Sequence, residues 1–289
     1  MVAATATTET GARPVRAGRR LRLPAWLGTT PFLAYVGIFL LLPTGIVVVN
    51  SVRSPSGALN LSSLKAPFEA PDRGLFTGSL ELCLISSVLG AVLGAILAYA
   101  VASGNPDGAV RRLYIAVSGV LAQFGGVTLA FAFVVLIGPV GLLMHASWFY
   151  SFPWGIAVIY TYFQVPLMVL VFLPAIDGLK AQWREASDSL GASSWQYWRY
   201  VGGPLLAPAF FGAALLLFAN ALSAFATIVA WENQIAYIVP QQIYLVINSE
   251  VGLSNVNQAD VLALGMIIMV AIIMTGYALL QRRAARWLR

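Results

Sequence analysis

Cysteine and histidine are all but missing from these 289 residues: Cys83 and His145 are the sole examples. One thiol allows no internal disulfide, and Cys83 sits in an apolar run where it reads as a small hydrophobe. A lone imidazole and a lone thiol exclude a metal cluster and a Cys/His catalytic pair, so no metal ligand is expected. Charge is scarce as well, at 10% Asp, Glu, Lys and Arg. A soluble domain carries about 25%. No phosphate-cradling G-x4-G-K-[ST] loop occurs, so any ATP used in work by this protein is bound elsewhere. No repeat of fixed period appears.

Apolar residues are abundant instead. They make up 59% of the chain, which cannot cover a water-facing surface, so the bilayer is the natural solvent. A crossing helix needs about 20 mostly apolar residues. Six stretches qualify, at about 31–50, 79–102, 113–139, 153–174, 205–231 and 259–280. They are long and unbroken, unlike the short alternating strands of a barrel. The expected fold is an all-α polytopic bundle of six transmembrane helices.

The net charge of +6 is distributed by side. Fourteen of the seventeen basic residues lie in the N-terminal tail, in the second-to-third and fourth-to-fifth connections, and in the C-terminal tail. Only Arg53, Lys65 and Arg73 lie on the other side. Positive residues stay cytoplasmic, so both termini and the connection carrying Glu185 are placed inside. The excess serves topology and anionic lipid, and nucleic acid is not an expected partner. Residues 1–29 form a basic tail, disordered at its start, and the first span is read as uncleaved. The six-span domain covers 30–289.

The longest polar connection on the basic side is about 176–204. Glu185-Ala186-Ser187, Gly191-Ala192 and the aromatic Trp195, Tyr197, Trp198 and Tyr200 suggest two short helices cornered at Gly191. Ser193 or Ser194 caps the second helix, and Pro204 opens the fifth span. Chemistry alone leaves two readings in balance: an interfacial loop belted by tryptophans, or a docking element for another protein.

The spacing Glu185-Ala186-x4-Gly191-x9-Val201-x2-Pro204 resembles the EAA loop of ABC-importer permeases, usually E-A-A-x3-G-x9-I-x-L-P. Ser187 replaces the third small residue, Val201 replaces Ile, and Gly203 stands where Leu is usual, which puts the local packing before Pro204 in question. The resemblance extends over about 30–289 through Ala98–Ala102, Gly138–Gly141 and Ala207–Ala209. Phe218–Thr227 and Val239–Ile243 look most like permeases of the spermidine and putrescine type. Ferric-iron, sulfate or thiosulfate, thiamine and phosphonate permeases share much of the pattern.

That resemblance implies the type I importer fold and a non-enzymatic subunit that binds no cofactor of its own. ATP and Mg would sit on two partner ATPases. It further implies a second permease subunit, expected to be a different chain, and an extracytoplasmic solute-binding protein. Glu185, Ala186, Ser187, Gly191, Ala192 and Pro204 would form the ATPase-coupling loop. A polyamine is the implied solute.

Polar groups inside spans are costly and usually face a bundle interior. Asn220, Ser223 and Thr227, at i, i+3 and i+7, are expected on one face of the fifth span. Gln123 beside Gly125 and Gly126, and Gln164 beside Pro166, complete a candidate translocation path. Bonding between helices is the alternative use of all five. Gly90 and Gly94 form a G-x3-G that suits tight packing. Glu81, Glu232, Glu250 and Asp260, near Trp231 and Tyr237, form a candidate outer entrance for a cation, or else a face for the solute receptor. An ion-driven secondary transporter would need charge deep in the spans, where almost none is found.

Overall fold

The computed structural model describes residues 25–53, 72–138, 141–143, 147–231, 235, 237–248 and 256–286. All regular structure there is helical. Five helices are long and apolar enough to cross a membrane, and a sixth span is made by a bent pair. The chain divides into two units, 1–46 and 47–289.

In the first unit, α1 (Ala25–Val36) runs through a π-helical turn, Gly37–Leu41, into α2 (Leu42–Ser51), which ends in the second unit. Tyr35 and Phe39 pack ring to ring at 4.9 Å, and Phe32, Leu33, Phe39 and Leu40 are exposed, as lipid-facing side chains would be.

The second unit is built on α3 (Asp72–Ala102) and α6 (Trp154–Asp177). α3 starts seven residues before the expected span, with Asp72 in its first turn, where a carboxylate suits the helix dipole. Hydroxyls within α3 are satisfied on their own helix: Ser86 Oγ donates to the Leu82 carbonyl at 2.8 Å, and Ser79 Oγ to Leu75 at 2.9 Å. The G-x3-G lies on the seam with α6. A Cβ on Gly90 would lie 2.7 Å from Gln164 Cβ, and one on Gly94 would collide with Met168 and the Val165 carbonyl. Glycine is what lets these backbones approach.

Two apolar clusters hold the unit. One gathers Leu82, Phe149, Ile156, Tyr160, Leu222, Ile228 and Trp231. The other gathers Ala91, Ala98, Met168, Phe172, Leu206 and Leu217 around the seam. In the first, Tyr160 donates its hydroxyl to the Ala224 carbonyl at 2.5 Å, and Trp231 its indole N–H to the Phe149 carbonyl at 3.2 Å.

Two expected spans are interrupted. The third consists of α4 (Ala109–Gln123) and α5 (Gly126–Ile137), bent by 97°. Gly125 is extended, and Gly126 has φ +74°, a conformation costly for any residue with a Cβ. The fifth breaks at Ala224 between α9 (Gly203–Ser223) and α10 (Phe225–Trp231). α5 packs on α10. The stretch read as a loop at 232–258 contains α11 (Val239–Asn248), which packs on α12 (Val256–Arg286). Pro240 in its first turn and the apolar Ile243, Val246 and Ile247 were the sequence signal for it.

Candidate functional site

The polar connection folds as α7 (Ala181–Ser189) and α8 (Ser194–Tyr197) with a sharp corner between them. Gly191 has φ +74°. Its N–H bonds the Asp188 carbonyl at 3.0 Å, and the Ala192 N–H bonds Ser187 at 3.1 Å. These are the two bonds of a Schellman ending, which needs a left-handed residue where Gly191 stands. α8 starts with a capping box: Ser193 N–H donates to Gln196 Oε1 at 2.7 Å, and Gln196 N–H to Ser193 Oγ at 3.3 Å.

Arg184 braces the corner, a role that sequence reading missed. Its guanidinium donates to Ser194 Oγ at 3.1 Å, lies 5.3 Å from the Tyr197 ring centroid, and is 3.9 Å from Asp188. An arginine ten residues ahead of an aromatic-rich helix was the available signal. Glu185, Ala186 and Gly191 are exposed, while Ser187 and Ala192 are half-buried. Leu190 is 87% exposed and Trp195 71%, which leaves apolar surface at the corner for another body to cover.

The second loop helix does not end before the span. α8 passes through a π-helical turn, Trp198–Gly202, into α9, so that Ser194–Ser223 is one continuous helical segment with Pro204 in the first turn of α9. Gly203 donates to the Trp198 carbonyl across that turn, and a Cβ on it would strike the same oxygen. The motif's departure from Leu thus falls where the π turn leaves no room. Trp198 meets Tyr99 of α3 edge to face at 5.3 Å.

The five candidate path residues separate by environment. Gln164 is fully buried and donates to Ser86 Oγ at 3.2 Å. Thr227 is fully buried and accepts from the Gly126 N–H at 3.1 Å, joining one span break to the other. Gln123, at the end of α4, and Ser223, at the end of α9, are exposed, and Asn220 is half-buried. The expectation of a single face through Thr227 is corrected: α9 stops at Ser223, so Thr227 belongs to a different helix. Thr227→Val is expected to leave the Gly126 donor unpaired at a cost of about 1–3 kcal/mol, read as a lower unfolding temperature in detergent. Unchanged melting would show that the bond adds nothing to stability.

At the end of the bundle away from α7 and α8, Glu81 is exposed and lines a cavity of about 630 Å³ with Asp72, Thr77, Tyr237, Gln242 and Gln258. Phe152 and Tyr237 stack at 4.8 Å on its wall. Asp260 is half-buried in the first turns of α12. Glu232 and Glu250 lie outside the described residues. Among the described residues no group of three His, Cys, Asp or Glu side chains could hold a metal ion.

Residues 90–289 match the family described as the binding-protein-dependent transport system inner membrane component. A probable starch degradation products transport system permease, AmyD of Thermoanaerobacterium thermosulfurigenes, is 23% identical over 69% of this chain and 73% of its own length. The trehalose transport system permease SugB of Mycobacterium tuberculosis is 30% identical over 50% of this chain and 53% of its own length. The sulfate transport system permease CysT of Escherichia coli is 31% identical over 30% of this chain and 32% of its own length. Among solved structures, a bacterial ABC transporter importing the acidic polysaccharide alginate superposes with TM-score 0.70 at 17% identity, covering 90% of this chain and 95% of that one. With its family matched over most of its length and its helices arranged as in that importer, this chain belongs to the family of binding-protein-dependent transport system inner membrane components.

Proposed function

We propose that the chain takes a solute from an external receptor and passes it to the cytoplasm by alternating access, driven by two ATPases that dock on α7 and α8. The single observation carrying this is the Schellman corner at Gly191, which holds two short helices apart above exposed Leu190 and Trp195. In this reading Glu185 meets polar or basic groups of the ATPase, beside Ala186, Ser187 and Ala192, and both termini face the cytoplasm. Differential contacts of the loop in the ATP-bound and ATP-free states supply the coupling. The test is co-purification: a tagged chain should carry its ATPase, and Glu185→Lys combined with Gly191→Val should lose it. Retention in the double variant would count against docking at this loop.

Gln123, Asn220 and Ser223 line the path, where the ends of α4 and α9 leave Gln123 and Ser223 exposed and Asn220 half-buried beside the span breaks. Gln164 and Thr227 hold the wall by bonds between helices. For the solute, a polyamine finds no support in the relatives named above. A carbohydrate is favoured instead: the relative matched over most of its length is named for starch degradation products, and the alginate importer shares the fold. Glu81 and Asp260 then belong to the receptor-facing surface. Calorimetry on the cognate receptor separates the two, since micromolar heat with a sugar and none with spermidine is expected; the reverse would restore the polyamine.

A further inference from the structure

Arg111 of α4 and Asp177 of α6 form an ion pair across 66 residues of chain. Among the described residues it is the ion pair that joins two spans; the other, Arg184–Asp188, lies within α7. Neither member suits its own helix. Arg111 is in the first turn of α4, where the dipole disfavours a cation, and Asp177 is the last residue of α6, where it disfavours an anion. Each placement is unfavourable alone, and together they cancel. The Arg111 side chain is only 13% exposed, so its charge is largely withdrawn from water and needs that partner.

The location gives the pair a mechanical meaning. Asp177 is followed by a hydrogen-bonded turn, with Gly178 N–H on the Pro174 carbonyl at 3.1 Å and Leu179 N–H on Ile176 at 3.0 Å. α7 starts at Ala181 directly after it. A displacement of α7 therefore reaches Asp177 through three ordered residues. At its other end α4 is separated from α5 by the 97° bend, and α5 is tied to α10 through Gly126 and Thr227.

We propose that the Arg111–Asp177 pair fastens α4 to the root of the coupling helices, so that α4 travels with α7 while α5 stays with α10, and the bend at Phe124–Gly125 takes up the difference. Arg111 and Asp177 are positioning residues for transport, and the inference rests on the reading of α7 and α8 as the ATPase dock.

The test uses the assembled importer with its ATPases, in a Cys83→Ala background, with spin labels at positions 117 on α4 and 135 on α5. ATP binding should change the separation of the labels in the parent assembly. Arg111→Ala should reduce that change to less than about a third, and the exchanged pair, Arg111→Asp with Asp177→Arg, should restore more than about half of it, as a pairwise coupling requires. Asp177→Asn, which keeps the side-chain shape, serves where Arg111→Ala fails to assemble and should lose the change likewise. A crosslink from position 188 to the ATPase should form in every variant. An undiminished change in both single variants overturns the inference and leaves the docking reading standing. Loss in the single variants without recovery in the exchanged pair also overturns it, since a merely structural role would look the same. A parent assembly that forms the crosslink but shows no change overturns this inference alone, and one that forms no crosslink removes the docking reading and this inference together.

Discussion

Gly191→Val is expected to insert, to purify with its spans intact, and to lose at least about tenfold in receptor-dependent uptake while ATP hydrolysis by the partner persists. Nothing lies within 4 Å of where its Cβ would be, so no side-chain clash is involved. The effect comes from the backbone. At φ +74° an L-residue is disfavoured by about 1–2 kcal/mol, and branching at Cβ raises the penalty. Relief requires leaving the left-handed region, which breaks the Gly191–Asp188 and Ala192–Ser187 bonds and swings α8 away from α7. The loop would remain present and misaimed. Asn tolerates this conformation, so Gly191→Asn should keep most of the uptake, and Gly191→Ala should fall between them. Wild-type uptake by the valine variant, measured in vesicles with the receptor's own solute, would refute the role of the corner.

Gly94→Leu should act on the fold instead. The added side chain would enter the seam where Met168 and the Val165 carbonyl already stand. Overpacking a filled interior costs about 1–3 kcal/mol and more where backbone must yield. Here the collision is partly with backbone, between the two helices that share the largest contact in the unit. With little hydrophobic drive between helices inside lipid, close packing is most of what holds them. The expected result is loss of monodisperse protein in detergent, read by size-exclusion fluorescence of a tagged chain. Leu89→Ala, on an exposed face of the same helix, should behave as the parent. A well-behaved Gly94→Leu would mean that α3 and α6 have freedom to separate.

These two predictions differ in how far they could be read ahead of the structure. The G-x3-G of Gly90 and Gly94 declared a packing seam but not its partner, because small residues say that something is close without saying what. The corner at Gly191 was legible because one residue type suits a left-handed Schellman ending, and the polar residues around it had few other uses. The six crossings were legible from apolar length alone, since lipid leaves the backbone few options. The breaks were not. Leu113 to Pro139 reads as one apolar run, and Gly125-Gly126 in a span is compatible with packing or with bending; the Thr227 hydroxyl that satisfies the freed Gly126 donor comes from about a hundred residues away. Ala224 carries no sequence mark of a break at all, because the group that accommodates it is the Tyr160 hydroxyl of another helix. Arg184 and the Arg111–Asp177 pair were hidden for a related reason: on the basic side every arginine already had an explanation in topology.

The segment Ser194–Ser223 spans 30 residues, about 45 Å at 1.5 Å per residue. It begins just after the Gly191 corner and ends at the interruption beside Ala224. A twist applied at Trp195 therefore arrives at Ser223 along a single shaft, softened at the π turn, Trp198–Gly202, and at Pro208, which lacks an N–H for the helical ladder. Because a full rotation of the shaft is 3.6 residues, a turn of one residue's width, about 100°, would bring a neighbouring face of the helix to where Asn220 stood and so re-line the proposed path.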